Sequence, residues 1–128
     1  MTDDESRGTA AVAFAAVSLD CADPGALAEF YLALLGGEVL WRSPGSTGIR
    51  VPGVALVMQR VDGYRPPAWP GASIVHLDLG VRDVAAATTR AIRAGATAPA
   101  DQPDRRWRVL LDPAGHPFCL TTLTPPGT

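Results

Sequence analysis

His76 and Asp78 stand two apart in an alternating run, Val75-His76-Leu77-Asp78-Leu79-Gly80-Val81. In an extended chain, side chains i and i+2 share a face. The imidazole and the carboxylate therefore point one way, and Leu77 and Leu79 the other. Such a pair suits general acid/base work, metal ligation or plain hydrogen bonding in a cavity wall. A second run, Val17-Ser18-Leu19-Asp20-Cys21, places Ser18 and Asp20 on its less apolar face. Strand interiors disfavour Asp, and an inward carboxylate without a partner is costly. Asp20 and Asp78 are therefore candidates for a ligand-binding or general-base carboxylate. The alternative is that an Arg, backbone amides or a wet rim satisfies them.

Cys119 alternates with Phe118 and Leu120, and Gln59 lies on the strand that corresponds to it in the first half. Both are ligand-binding candidates. Trp41, Trp69 and Trp107 offer flat apolar walls to an aromatic ligand, or pack in a core or interface. Cys119 lacks the neighbours of an activated nucleophile: there is no second His placed to activate it, and the chain contains no Lys. A buried, inert thiol is the alternative. His116 falls in a turn and reads as a solvated loop residue. Arg105, Arg106 and Arg108 form a solvated loop, or a receiver for an anionic substrate.

The elements that position these residues repeat. Asp23 and Asp83 lie sixty positions apart. Each follows an alternating run and precedes an amphipathic helix that stops at glycine, which points to two copies of one supersecondary unit. The first unit reads as a strand over Val12–Cys21, then a helix capped by Asp23 with Pro24 at its first position. Its core stripe is Leu27, Phe30, Tyr31, Leu34 and Leu35, and Gly36-Gly37 ends it. Strands over Glu38–Arg42, Gly48–Val51 and Val54–Val61 follow, separated by turns. The second unit reads as a strand over Ile74–Val81, a helix from Asp83 to Gly95 and a hairpin of Trp107–Leu111 with Phe118–Leu123. Asp112-Pro113-Ala114-Gly115 has the residues of its turn. The expected class is α+β: two βαβββ modules forming a curved mixed sheet around a cup-shaped cavity. Module one spans about 12–61, a Pro/Gly-rich linker 62–71, and module two about 72–123. Residues 10–124 are expected as a single domain, and residues 1–9 as a disordered tail.

The bulk composition narrows the partners. With 128 residues, 47% hydrophobic and 19% charged, the chain can bury an ordinary core. A net charge of −2, with no basic run, argues against nucleic acid or an anionic membrane as partner. All 11 basic residues are Arg, which excludes Schiff-base and P-loop lysine chemistry. Two cysteines, Cys21 and Cys119, make no disulfide framework. The acidic start Thr2-Asp3-Asp4-Glu5 is unlike a secretory signal, and Ala10–Ala16 is too short to cross a membrane. A cytoplasmic location is expected.

Taken together, Asp23-Pro24 leading to Phe30-Tyr31 and Leu35-Gly36, the run Val75-His76-Leu77-Asp78, and Asp112-Pro113-Ala114-Gly115-His116-Pro117-Phe118-Cys119-Leu120 resemble the vicinal oxygen chelate superfamily. That group contains glyoxalase I, bleomycin-resistance proteins and extradiol dioxygenases. The resemblance spans about residues 12–123. It implies a homodimer and a small organic ligand in the cup. In metal-using members a divalent ion sits there, held mostly by His and Glu from the first and last strands of the modules. His76 falls on the second-module His position, and Cys119 on a position often held by Glu. The first-module positions fall on Ala16 or Ser18 and near Val57 or Gln59. One standard ligand of four is kept, so no metal cofactor is favoured. If a divalent metal is bound, His76 and Cys119 hold it, with Asp78 or Asp20 as third donor.

The resulting expectation is a small-molecule-binding protein without the standard metal site. The alternative is a lyase, isomerase or dioxygenase-like tailoring enzyme. It would use a metal on His76 and Cys119, or Asp20 and Asp78 as acid and base. A third reading is a degenerate module that serves only as a partner surface.

Overall fold

The computed structural model describes residues 14–71 and 75–122. The expected tail at 1–9, the first two residues of the expected strand at Val12, Ile74 and Leu123 lie outside the described residues. The first module is β1 (Val17–Cys21), α1 (Pro24–Leu35), β2 (Glu38–Arg42), β3 (Ser46–Val51) and β4 (Val54–Arg60). The second is β5 (Leu77–Gly80), α2 (Val84–Ala94), β6 (Trp107–Leu111) and β7 (Pro117–Thr121). The class is α+β, with two mixed sheets. One has the order β1-β4-β3-β2 and the other β5-β7-β6. The repeat is visible in the pairing, since β1 runs parallel to β4 and β5 runs parallel to β7.

Both helices begin as their sequences predict. Asp23 and Asp83 are extended at the N-cap, and each side chain accepts a bond of 3.1 Å from the amide three residues on. Gly36 and Gly95 stop the helices with positive φ, 73° and 126°, which favours glycine. The stripe on α1 buries Leu27, Phe30 and Tyr31. The stripe on α2 buries Ala91 and leaves Ile92 exposed.

One core serves both modules. Leu19, Leu27, Tyr31, Ile49 and Met58 from the first share a cluster with Ala91, Leu110, Phe118 and Leu120 from the second. Phe30, Tyr31 and Phe118 meet edge-on or tilted, with ring centroids 4.9 to 6.4 Å apart. Across this seam the Tyr31 hydroxyl donates 2.6 Å to Asp112 Oδ2. Burial, then the Asp112 charge and this bond, push the Tyr31 pKa well above the ordinary phenol range.

The second module departs from the expected βαβββ order. After α2 there is no second strand among the described residues, only an isolated bridge of Thr97 to Leu111. Thr97 and Leu111 exchange both backbone bonds, at 3.0 and 2.8 Å. Pro99 and Pro103 lie just beyond, and proline has no N–H to extend a ladder. A correction also applies to strand one: among the described residues it starts at Val17, and residues 14–16 before it are not strand. Its pairing begins at Val17 with Leu56, and Phe14 is largely exposed.

Candidate functional site

β5 and β7 build the site. Their parallel register sets Asp78 beside Cys119 and Gly80 beside Thr121. Alternation turns Leu77 and Leu79 toward the core and leaves His76, Asp78 and Gly80 on the open face. β6 adds Trp107 and Val109 on that side. A cavity of about 680 Å³ lies over this face, walled by Trp69, His76, Asp78, Trp107, Val109 and Cys119.

His76 Nδ1 lies 3.3 Å from Asp78 Oδ1, with the two side chains 45% and 56% exposed. A contact that open contributes ~1 kcal/mol or less to stability. Cys119 is 9% exposed. Burial, followed by the charge of the neighbouring Asp78, pushes its thiol pKa up. The thiol therefore rests protonated beside the carboxylate. One donor atom from each of His76, Asp78 and Cys119 lies within 4.8 Å of the others.

This N/O/S set suits a borderline ion of the zinc kind better than magnesium or manganese, which prefer all-oxygen shells. Two donors to one tetrahedral zinc stand about 3.5 Å apart, so the trio would contract slightly. The raised thiol opposes loading, because a metal ligates the thiolate. The residues fit a zinc-like ion by type and position.

Other residues complete the wall. The 62–71 linker crosses onto the second module and carries Trp69 to the cavity. Tyr64 pins it: its hydroxyl donates 2.6 Å to the Ala114 carbonyl. Pro66 sits where a side chain on Gly115 would be, 2.6 Å from an ideal Cβ. Arg106 also lines the cavity, stacked 5.2 Å over the Trp107 ring. Its guanidinium is committed to Asp104, with Nε to Oδ1 at 3.0 Å and Nη2 to Oδ2 at 2.9 Å. That contact holds the Asp104 carboxyl down at about 2. Arg105 and Arg108, expected beside it, are exposed and outside the cavity wall.

The structure brings together His76, Asp78, Cys119 and Trp107. It does not bring Ser18, Asp20, Gln59 or Trp41 to them. Asp20 pairs with Gln59 across β1 and β4, and both are exposed on the four-stranded sheet. Ser18 lies exposed on the same strand as Asp20. The Trp41 Nε1 donates 2.9 Å to Ser46 Oγ, and Gln59 Nε2 donates 3.5 Å to the Gly45 carbonyl. The expected faces match in kind but belong to two different sheets.

His116 also departs from expectation. It is half-buried, not a free turn residue: Nε2 donates 2.6 Å to the Asp20 carbonyl and lies 3.2 Å from the Tyr64 hydroxyl. Asp112 was visible only as a turn residue. Its Oδ1 accepts from the Ala114 and His116 amides at 2.9 and 3.0 Å, which fixes the turn joining β6 to β7. An Asp at a turn start signals that role, but nothing in the sequence shows that Tyr31 reaches it. No helix among the described residues is long and apolar enough to cross a membrane.

Comparison with known proteins agrees with this architecture. The family model of the glyoxalase-like domain matches residues 16–121. No curated protein matches in sequence. A glyoxalase-related enzyme from Fulvimarina pelagi superposes with a TM-score of 0.62 at 25% identity, covering 84% of this chain and 86% of that one. A glyoxalase/bleomycin resistance protein/dioxygenase family enzyme from Burkholderia phytofirmans PsJN gives 0.65 at 22% identity, covering 85% and 98%. A fosfomycin resistance protein, FosX, from Listeria monocytogenes, complexed with Mn(II) and 1S,2S-dihydroxypropylphosphonic acid, gives 0.69 at 15% identity, covering 90% and 93%. With the duplicated fold, the cavity over β5 and β7 and a family match across nearly the whole described chain, this protein belongs to the glyoxalase-like domain family.

Proposed function

We propose that the protein binds a small organic molecule in the cavity of the second module, without the standard metal-ligand set of the superfamily. One observation carries this reading. The cavity of about 680 Å³ is within the range of drug-sized sites, and its walls are mainly apolar with a few convergent polar groups. The polar groups His76, Asp78 and Cys119 converge there, with donor atoms within 4.8 Å of one another. The Listeria monocytogenes FosX, complexed with Mn(II) and 1S,2S-dihydroxypropylphosphonic acid, holds a small organic molecule in a similar fold, which agrees with this use of the cavity.

Pairing of two copies belongs to the same proposal. His76 and Asp78 are about half exposed in the single chain. The open face of the first module, with Ser18, Asp20, Gln59 and Trp41, is suited to close over the partner's cavity. Such a dimer is expected to work in the cytoplasm, where Cys21 and Cys119, both free here, stay reduced.

A second reading rests on the trio within 4.8 Å. With a zinc-like ion on His76, Asp78 and Cys119, the site would be a metal-assisted lyase, isomerase or dioxygenase-like centre. The ion would supply Lewis acidity. His76 and Asp78 would hold it and orient the substrate beneath Trp107.

Protein purified without chelator separates the two. The first reading predicts substoichiometric metal and a rise in melting temperature with organic compounds in a thermal-shift screen, because a ligand of the folded state stabilises it by mass action. One tightly held ion per chain, lost in Cys119→Ala and His76→Ala, would overturn it in favour of the second. Loss of turnover in Asp78→Asn, with the fold intact, would make the site catalytic.

A further inference from the structure

The charges in the wall of the second-module cavity do not cancel. Its ionisable side chains are His76, Asp78, Arg106 and the Cys119 thiol. Arg106 is neutralised where it stands. Its Nε and Nη2 bind the two carboxylate oxygens of Asp104 at 3.0 and 2.9 Å, and its guanidinium lies 5.2 Å over the Trp107 ring. The same contact holds the Asp104 carboxyl at about 2, so it is ionised wherever Arg106 is charged. Asp78 has no such partner. Among the described residues no arginine pairs with it, and the chain has no Lys. Its charged-pair neighbour is the His76 imidazole, 3.3 Å away. With a neutral imidazole and a protonated Cys119 thiol, the wall carries one net negative charge, on Asp78.

The Asp78 side chain is half exposed, so its carboxylate is open to water. A molecule that fills the cavity displaces that water. A neutral or acidic molecule leaves the carboxylate partly stripped and unpaired, which is costly. A cation replaces the lost solvation with a direct charge contact. The rest of the wall suits the body of such a molecule. Asp78 stands beside Cys119 and Cys119 beside Val109, and Trp107 lies two residues along β6 from Val109 on the same face. Trp69, Trp107, Val109 and Pro117 supply apolar wall next to the charge. Trp107 already holds a guanidinium over its ring, and aromatic faces favour cations generally.

We propose that the second-module cavity selects organic cations, molecules with an apolar body and a protonated amine that reaches Asp78. This rests on the organic-ligand reading above and names the charge of the ligand. The selection belongs to Asp78, and it depends on Asp104, which cancels the one positive charge that would otherwise oppose an amine in the wall.

The test is isothermal titration of the full chain with tryptamine, tryptophol and indolepropionate, which share one ring system and differ in the charge of the head. It is run at about pH 8, where imidazoles are ordinarily neutral and alkylamines protonated. Tryptamine should bind tighter than tryptophol by about fivefold, the scale of a half-exposed charge contact, and indolepropionate weakest of the three. Asp78→Asn should bring tryptamine to the level of tryptophol and leave tryptophol unchanged. Asp104→Asn frees the Arg106 charge without altering the residues at Asp78, and should weaken tryptamine while strengthening indolepropionate. In the unsubstituted protein, raising salt to about 0.5 M should narrow the advantage of tryptamine, a readout that needs no variant to fold. Tryptamine binding no tighter than tryptophol, or an advantage that survives salt and Asp78→Asn, would overturn the proposal. Neutral or acidic compounds as the only hits in the thermal-shift screen would overturn this selection and leave the organic-ligand reading standing. A screen in which no organic compound binds, or one tightly held metal ion per chain, would overturn both.

Discussion

Replacing Tyr31 with Phe deletes one hydroxyl at the seam between the modules, and its effect is calculable. Tyr31 is fully buried, Asp112 is 3% exposed, and the bond between them is 2.6 Å long. Hydrogen bonds to a charged group contribute about 1.5–3 kcal/mol. Asp112 keeps its two amide donors in the variant, so the carboxylate is not stranded. Tyr31→Phe is therefore expected to cost ~2 kcal/mol. Asp112→Ala removes three bonds and leaves the buried Tyr31 hydroxyl unpaired. It should cost ~3 kcal/mol or more, since an orphaned buried group carries its own desolvation penalty. Together the two changes should cost less than their sum by ~2 kcal/mol, the coupling expected of residues in direct contact. Urea unfolding reads this directly. With a slope near ~2 kcal/mol/M, Tyr31→Phe moves the midpoint down by about 1 M without changing the slope. A shift below ~0.5 kcal/mol, the scale of ordinary surface substitutions, or a vanishing coupling energy, would refute the claim that this bond ties the modules. Because Asp112 also fixes the turn before β7, Asp112→Ala should disturb the cavity more than Tyr31→Phe does.

Two further outcomes follow from the same electrostatics. Both tyrosines should resist ionisation in the native protein. Tyr64 is pushed up to about 12 by burial and then by Asp112, and Tyr31 lies higher still. The folded state thus holds phenolic protons that the unfolded chain releases from about pH 10. Stability is unaffected below that point and falls as pH rises from about 10 through about 12. Absorbance at the tyrosinate band should stay flat near pH 10 and rise only with unfolding or at more alkaline pH, and a native rise at the ordinary phenol pKa would contradict the packing of these rings. At Cys119, burial raises the thiol pKa first and the Asp78 charge second. Asp78→Asn should lower it and speed alkylation by iodoacetamide at fixed pH, with Cys21, which does not contact Asp78, as internal reference; an unchanged ratio of the two rates would show that the carboxylate does not govern the thiol.

The local elements were written in the sequence, because they depend on neighbours. Asp23 and Asp83 cap helices through their own side chains, glycines stop them, and a period of two sets which side of β5 carries His76 and Asp78. The repeat at sixty positions foretold two similar units, and the turn residues from Asp112 foretold the β6–β7 hairpin. Tertiary structure decided what those faces meet. Asp20 and Asp78 have the same kind of strand environment, yet they lie on separate sheets, because no ladder joins β1 to β5. Prolines at 99 and 103 removed a strand that the repeat alone would have supplied. Partners far apart in sequence were beyond any pattern: Tyr31 with Asp112, His116 with the Asp20 carbonyl, and Tyr64 with Ala114. Those contacts are set by how two separately formed units pack, and periodicity records each unit's buried side without recording which residue lies across from it. The same packing brought Trp69 from the linker to the cavity wall.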